Sequence, residues 1–264
     1  MRRRALAGAL PAAAVVLASY AFVLTSKTSP SRLVLDQAFL PPSGAHLLGT
    51  GEGGVDLLAA LGHATARGVT LALVVTAIAF VVGAPLGTWA GLRGGRTESL
   101  VVRAADLVQS FPTFLLAVAV LSAVRAPSRV HLGAVFLVGA WAPFARLAVA
   151  QAAVLRGSAF IEAARALGAP QRVILLRHAM PNVLGPIAVQ LGSSAAAIVL
   201  GEAALGFLGI GPRDGVSLGA LLEQGVLSMI RAPHVLVFGA ATVALLSGSL
   251  QLASEALRAS GAEE

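Results

Sequence analysis

Several residue groups in this chain have types and spacings that could carry chemistry. Gly215-Val216-Ser217-Leu218-Gly219 satisfies G-x-S-x-G, the turn in which a serine is presented to attack an acyl carbon. That reaction needs a strand before the turn and a histidine and an acid as partners, and no strand-like run precedes Gly215. The five histidines, His46, His63, His131, His178 and His234, are scattered, with no H-E-x-x-H and no pair at ligand spacing, so a metal site is not expected. A P-loop is also missing: the one lysine, Lys27, stands in Thr25-Ser26-Lys27-Thr28 without the glycines that cradle phosphates. If the chain moves a solute at the expense of ATP, a partner binds the nucleotide. Two acids lie near apolar runs, where a carboxylate is costly and often functional. Asp106 is expected at a cytoplasmic edge in contact with solvent. Glu202 is expected deeper, and two readings stay open for it: a gate or subunit contact, or a hydrogen-bonded structural acid.

The most informative stretch is Phe160–Pro181, FIEAARALGAPQRVILLRHAMP, a charged, helix-forming segment between strongly apolar runs. Phe160, Ala163, Ala164 and Leu167 recur at i, i+3, i+4 and i+7, which is one face of a helix. Glu162 and Arg165 lie three apart and can pair. Gly168 stands where a left-handed cap is needed, and Pro170 suits the first turn of a second helix. That helix is expected over Gln171–Met180, stopped at Pro181. Small alanines on an exposed face let another protein approach closely, and a short rigid helix can pass on a shift without deforming.

The elements that hold this segment are membrane helices. The chain is 57% hydrophobic and 12% charged, with a mean hydropathy of +0.85, against about 25% charged residues in soluble domains. Its apolar runs reach the ~20 residues that cross a bilayer as a helix, and the alternation of a membrane barrel is absent. Six spans are expected, at 6–24, 69–92, 107–124, 132–150, 183–207 and 235–252. The first follows Arg2-Arg3-Arg4 and reads as a retained anchor in preference to a cleaved signal peptide, because no A-x-A site closes it. The net charge of +7 reads as arginines flanking membrane helices beside anionic lipid, and nucleic acid is not an expected partner. With the N-terminus inside, twelve basic residues fall on the cytoplasmic side and seven outside, which supports both termini in the cytoplasm. The expected organisation is a cytoplasmic tip and first span (1–30), an external segment (31–67), a core membrane domain (68–257) containing the cytoplasmic loop 151–182, and a tail (258–264). A helical external segment is expected near Ser217–Leu227. Gly83-Ala84-Pro85-Leu86-Gly87 and Gly192-Ser193-Ser194-Ala195 permit close helix packing and kinks.

Glu162-Ala163-Ala164, Gly168 and, thirteen residues later, Pro181 resemble the "EAA" loop of permease subunits of binding-protein-dependent ABC importers. Glu202-Ala203-Ala204 repeats the triplet but has Leu208 in place of the glycine, and it lies inside a span. From about Ala45 to Leu257 the chain is similar to the "C"-type permease of dipeptide, oligopeptide and nickel importers. His46-Leu47-Leu48-Gly49-Thr50, Phe111-Pro112, Arg177-His178 before Pro181-Asn182, and GEAALGFLGIG at Gly201–Gly211 carry that resemblance. It implies an all-α, polytopic inner-membrane bundle that pairs with a second permease, two ATPase subunits and an external solute-binding protein. The chain itself would hold no cofactor, and ATP would bind the partners. Phe160, Glu162, Ala163, Ala164, Arg165, Leu167 and Gly168 would form the ATPase-coupling surface, with Pro181 as its exit. Two departures stand on the external side: Val55 where the family has Arg, and Leu218 where it has Trp. They bear on the fit to a binding protein. An ATP-independent secondary transporter or channel is the alternative, and it would show mid-membrane coupling acids and internal repeats.

Overall fold

A computed structural model describes residues 2–25, 33–212 and 214–261. Nine helices of eight residues or more are present among them, with two short 3-10 turns, Leu35–Gln37 and Glu52–Gly54, and no strand beyond one isolated bridge between Thr50 and Asp56. They are α1 (Arg2–Thr25), α2 (Leu57–Arg93), α3 (Gly95–Ser110), α4 (Thr113–Ala123), α5 (Arg129–Leu155), α6 (Ala159–Ala166), α7 (Gln171–Phe207), α8 (Leu218–Leu227) and α9 (Pro233–Gly261).

Four of these, α2, α5, α7 and α9, are long and apolar enough to cross a membrane, and the bent pair α3–α4 would make a fifth. Within α1, Leu10–Thr25 is a shorter apolar helix. The six expected spans therefore stand at four or five by length and composition. The third is not the straight helix expected over 107–124, because α3 and α4 meet at 65°. The cause is Pro112. It lacks an N–H and disfavours helical backbone at the residue before it, and Phe111 is extended at φ −89°, ψ 123°. Asp106, on α3, pairs with Arg146 at 2.9 Å, both half exposed.

α2 begins twelve residues earlier than the expected span. The Asp56 carboxylate accepts the Ala59 N–H at 2.9 Å and caps the helix, and the same side chain meets His46 Nδ1 at 2.9 Å. The helix thus takes in residues 57–67, Arg67 among them, which composition had left in the external segment. At 37 residues it is about 55 Å long, against a hydrocarbon layer of about 30 Å. The irregular stretch before it is pinned by Thr50. Its hydroxyl accepts the Leu40 N–H and donates to the Gln37 carbonyl, and its own carbonyl lies 3.1 Å from His234 Nε2 at the start of α9.

The tightest contact in the bundle is α2 on α5. Gly83, Gly87 and Gly91 recur every four residues and so share one face of α2. A Cβ at these positions would lie 2.4 Å from the Trp141 carbonyl oxygen, 2.2 Å from that of Ala145 and 2.5 Å from that of Val149. The opposing surface is also small: Ala145, Ala148 and Ala152, all fully buried. Lipid tails are as apolar as leucine, so helices in a membrane gain little by hiding apolar surface from them; close backbone approach gains dispersion contacts instead. α7 and α9 meet in the same way. Gly192 lies against the Leu250 carbonyl, and the Ser254 hydroxyl donates to the Val189 carbonyl and sits 3.0 Å from that of Ser193. The two glycine-rich runs singled out in the sequence are therefore packing surfaces.

Adding the same methyl group at two helical glycines should have opposite effects. Gly87→Ala must push α2 and α5 apart and should destabilise the purified protein by about 1–3 kcal/mol. Gly248→Ala, which meets open space within α9, should leave stability unchanged or raise it by up to about 1 kcal/mol. Thermal unfolding in one detergent compares them, and equal midpoints for the two variants would contradict the seam.

Candidate functional site

The Phe160–Pro181 segment forms a hairpin at the end of α5. Arg156 follows the last residue of α5, and the Ser158 hydroxyl donates back to the Leu155 carbonyl at 2.6 Å, turning the chain into α6. α6 ends in a Schellman cap. The Ala169 N–H bonds the Ala164 carbonyl at 3.0 Å, and the Gly168 N–H bonds the Arg165 carbonyl at 2.9 Å. Gly168 has φ +78°. A Cβ there would meet nothing within 4 Å, so glycine is present for its backbone angle and the space outside it is free. Pro170 then opens α7, its carbonyl accepting the Val173 N–H at 2.9 Å.

The expected apolar face of α6 divides in two. Ile161, which sequence reasoning passed over, is fully buried, and Ala164 is buried beside it. These two pack into one cluster with Leu92 of α2, Ala152 of α5 and Ile174, Ala179 and Val183 of α7. Phe160, Ala163 and Leu167 face outward with Glu162 and Gly168, and Leu167, at the tip, is 88% exposed. The inward phase was legible as a second i, i+3 pair, Ile161 and Ala164. The expected Glu162–Arg165 pair does not form among the described residues. Arg165 instead donates to the Leu92 carbonyl at 3.1 Å, and Arg156 donates to the Gly91 carbonyl at 3.1 Å and to Glu98 at 2.9 Å. Both guanidiniums thus meet the free carbonyls and negative dipole end of α2.

Pro181 does not stop the second helix. α7 runs through it to Phe207, with a π-helical stretch over Ile174–Ala179 in which the Met180 N–H reaches the Leu175 carbonyl. Proline lacks the donor and would clash with the carbonyl four residues back; a widened turn just ahead absorbs the misfit without ending the helix. The second arm of the hairpin and the membrane span that follows are therefore one rod of 37 residues.

At the opposite end of the bundle, Asp214 ties two spans together. Arg67 of α2 donates to its carbonyl at 2.8 Å and to its carboxylate at 3.1 Å, and Arg129 of α5 reaches the other carboxylate oxygen at 3.3 Å. Glu202, half-buried on α7, feels the charges of Arg129 and Asp214 and lies against Gly68, where a Cβ would come within 2.9 Å of its carboxylate. Ser217, the serine of the G-x-S-x-G match, caps α8, its hydroxyl accepting the Ala220 N–H at 3.1 Å. Gly219 is small because a Cβ would lie 2.2 Å from the Ala203 carbonyl oxygen. Of the two family departures, Leu218 is buried in the core, whereas Val55 lines a crevice of about 370 Å³ with Glu52, Val216 and Gln224. Among the described residues no cluster of three or more metal-ligating side chains occurs.

Residues 83–259 match the family described as "Binding-protein-dependent transport system inner membrane component". The oligopeptide transport system permease protein OppC of Mycobacterium tuberculosis (strain ATCC 25618 / H37Rv) is 30% identical over 262 residues, covering 98% of this chain and 90% of that one. OppC of Haemophilus influenzae is 34% identical over 206 residues, 75% of this chain and 63% of its own. A protein of Escherichia coli (strain K12) named "Probable D,D-dipeptide transport system permease protein DdpC" is 30% identical over 230 residues, covering 87% of this chain and 77% of its own.

The two faces of α6 predict a separation of stability from surface function. Ile161→Ala removes a fully buried side chain and should cost about 2–5 kcal/mol in unfolding experiments. Leu167→Ala should leave the unfolding midpoint where it is, since the side chain touches little. Equal losses from both would mean that the hairpin packs differently from its description above.

Proposed function

The chain belongs to the binding-protein-dependent transport system inner membrane components, and we propose that it is one half of the translocation path of an ATP-driven importer of peptides or a related small solute. It is a multi-pass membrane protein and a transport subunit. The cargo class follows the named relatives, which are permeases of oligopeptide and D,D-dipeptide transport systems. The partners would be a second, related permease, two ABC ATPase subunits that bind the ATP, and an external solute-binding protein. Both termini would lie in the cytoplasm of a cell whose inner membrane holds the protein.

The observation that carries this reading is the hairpin. Its outward face offers Phe160, Glu162, Ala163, Leu167 and Gly168 to a partner, while Ile161 and Ala164 hold it to the ends of α2, α5 and α7. An ATPase docked on that face acts on a rigid element continuous with a membrane span. Closure of the ATPases on ATP would shift α6, carry α7 with it through Pro181, and tilt the bundle toward outward access. Arg165 would keep the hairpin and α2 moving together through its bond to Leu92. On the far side, the Arg67–Asp214–Arg129 cluster joins α2 and α5 to the loop after α7, and Glu202 stands beside it as the candidate gate. The external crevice with Val55 on its wall is the candidate meeting point for the binding protein.

Gly168→Asp tests the reading. Aspartate tolerates a left-handed backbone better than most residues, and the space outside Gly168 is open. The variant should therefore fold and insert normally while placing a charged side chain where the ATPase docks. Uptake of a peptide substrate should fall to background, and the ATPase subunits that co-purify with the wild-type chain should be lost. Normal uptake by a correctly inserted variant would contradict the assignment.

A further inference from the structure

A second feature of the hairpin is not used by this reading. Where α2 ends and α7 begins, a cavity of about 610 Å³ is lined by four arginines, Arg93, Arg156, Arg165 and Arg172, and by no acid. Arg156 is answered by Glu98 and Arg165 by a backbone carbonyl. Arg93 and Arg172 enter no ion pair among the described residues, and both are exposed. Four guanidinium charges thus face a single neighbouring carboxylate.

Apart from Gln171, the remaining wall is apolar, formed by Trp89, Leu92 and Leu175, and sits at the end of a membrane-spanning helix. Trp89 and Leu92 come from the last turns of α2, and the Arg93 guanidinium lies over the Trp89 ring at 5.5 Å from its centre. Indole and guanidinium side by side suit the boundary between acyl chains and headgroups. Val82, two turns back on the Trp89 face of α2, is exposed and leads away from the cavity along the lipid-facing side. We propose that this cavity binds the phosphate headgroup of an anionic phospholipid, with the acyl chains leaving past Trp89. Basic pockets between membrane helices on the cytoplasmic side hold such headgroups, and an acidic protein segment would have no use for the apolar exit. Arg93 and Arg156 belong to the bundle, whereas Arg165 and Arg172 belong to the hairpin, so one headgroup would bridge the two. The inference stands on the membrane placement of α2 and is independent of what the chain transports.

The test uses the full chain, purified with its partners in mild detergent and exposed to phosphatidylglycerol in a phosphatidylcholine background. Retained lipid is read by native mass spectrometry. The wild type should keep phosphatidylglycerol selectively. Arg93→Gln with Arg172→Gln should weaken retention on the order of 25-fold, about fivefold per arginine, while Arg93→Lys with Arg172→Lys should restore most of it. An unchanged unfolding midpoint should accompany all variants, because both side chains are exposed. Equal retention by the wild type and the glutamine variant would overturn the proposal. Displacement of the lipid by excess inorganic phosphate would overturn it in favour of a free anion. Loss of co-purified partner protein with lipid retention intact would overturn it in favour of a protein contact.

Discussion

The structure depends on the close approach of α2 and α5. A membrane bundle cannot rely on excluding water from between its helices, so it must gain from contact geometry, and three glycines opposite three alanines bring two backbones almost into touch. That seam has consequences at both ends. At one end it sets the last carbonyls of α2 beside Arg156 and Arg165, so that the hairpin is hung from α2 as well as from α5. At the other end it brings Arg67 and Arg129 near enough to share Asp214. A rotation of α2 against α5 would break all three arrangements, so the pair is best regarded as one rigid unit with a polar fastening at each end.

The hairpin is the second rigid element. A loop that merely crossed the surface would absorb a push by bending. This one has a glycine-capped helix of eight residues, a buried isoleucine beneath it and a return arm that never leaves helical geometry before reaching mid-membrane. The π-helical turn before Pro181 keeps that rod unbroken, and π turns recur at functional sites because an inserted residue is retained only where it serves some purpose. The reading as an importer component over an ATP-independent channel rests on this mechanical build together with family membership.

Much of this was legible in the sequence because single residues have single meanings. Gly168 marked a left-handed cap and Gly83 and Gly87 a packing face, and each stands so in the structure. The failures have physical causes. On an eight-residue helix rich in alanine, two apolar phases overlap: Ala164 was grouped with Phe160, Ala163 and Leu167 on the surface offered to a partner, and it is buried beside Ile161 instead. The period of a helix does not say which side faces the body when both sides are apolar. Pro181 was read as a stop because proline usually is one, and only the neighbouring backbone reveals a π turn that accommodates it. Pro112 carried the opposite lesson: inside an apolar run it was read as part of a span, and the chain bends there by 65°. Arg67 was left in the external segment because the stretch before it is rich in Pro, Ser and Gly, although Asp56 three residues ahead of Ala59 is a helix start. The Asp214 cluster joins residues 147 apart in the chain and left no local signal at all.

The central claim is that the tip of the hairpin is where an ATPase grips this chain. The protein has no cysteine, so a single one can be introduced at Leu167, which is exposed and touches little. A second variant would carry it at Leu227, comparably exposed at the end of α8, away from the hairpin. Thiol-directed cross-linking in native membranes, with the adduct identified by mass spectrometry, then reads the neighbour directly. The account predicts a P-loop ATPase joined to Leu167→Cys and none joined to Leu227→Cys. An ATPase joined to neither, or to both alike, would contradict it.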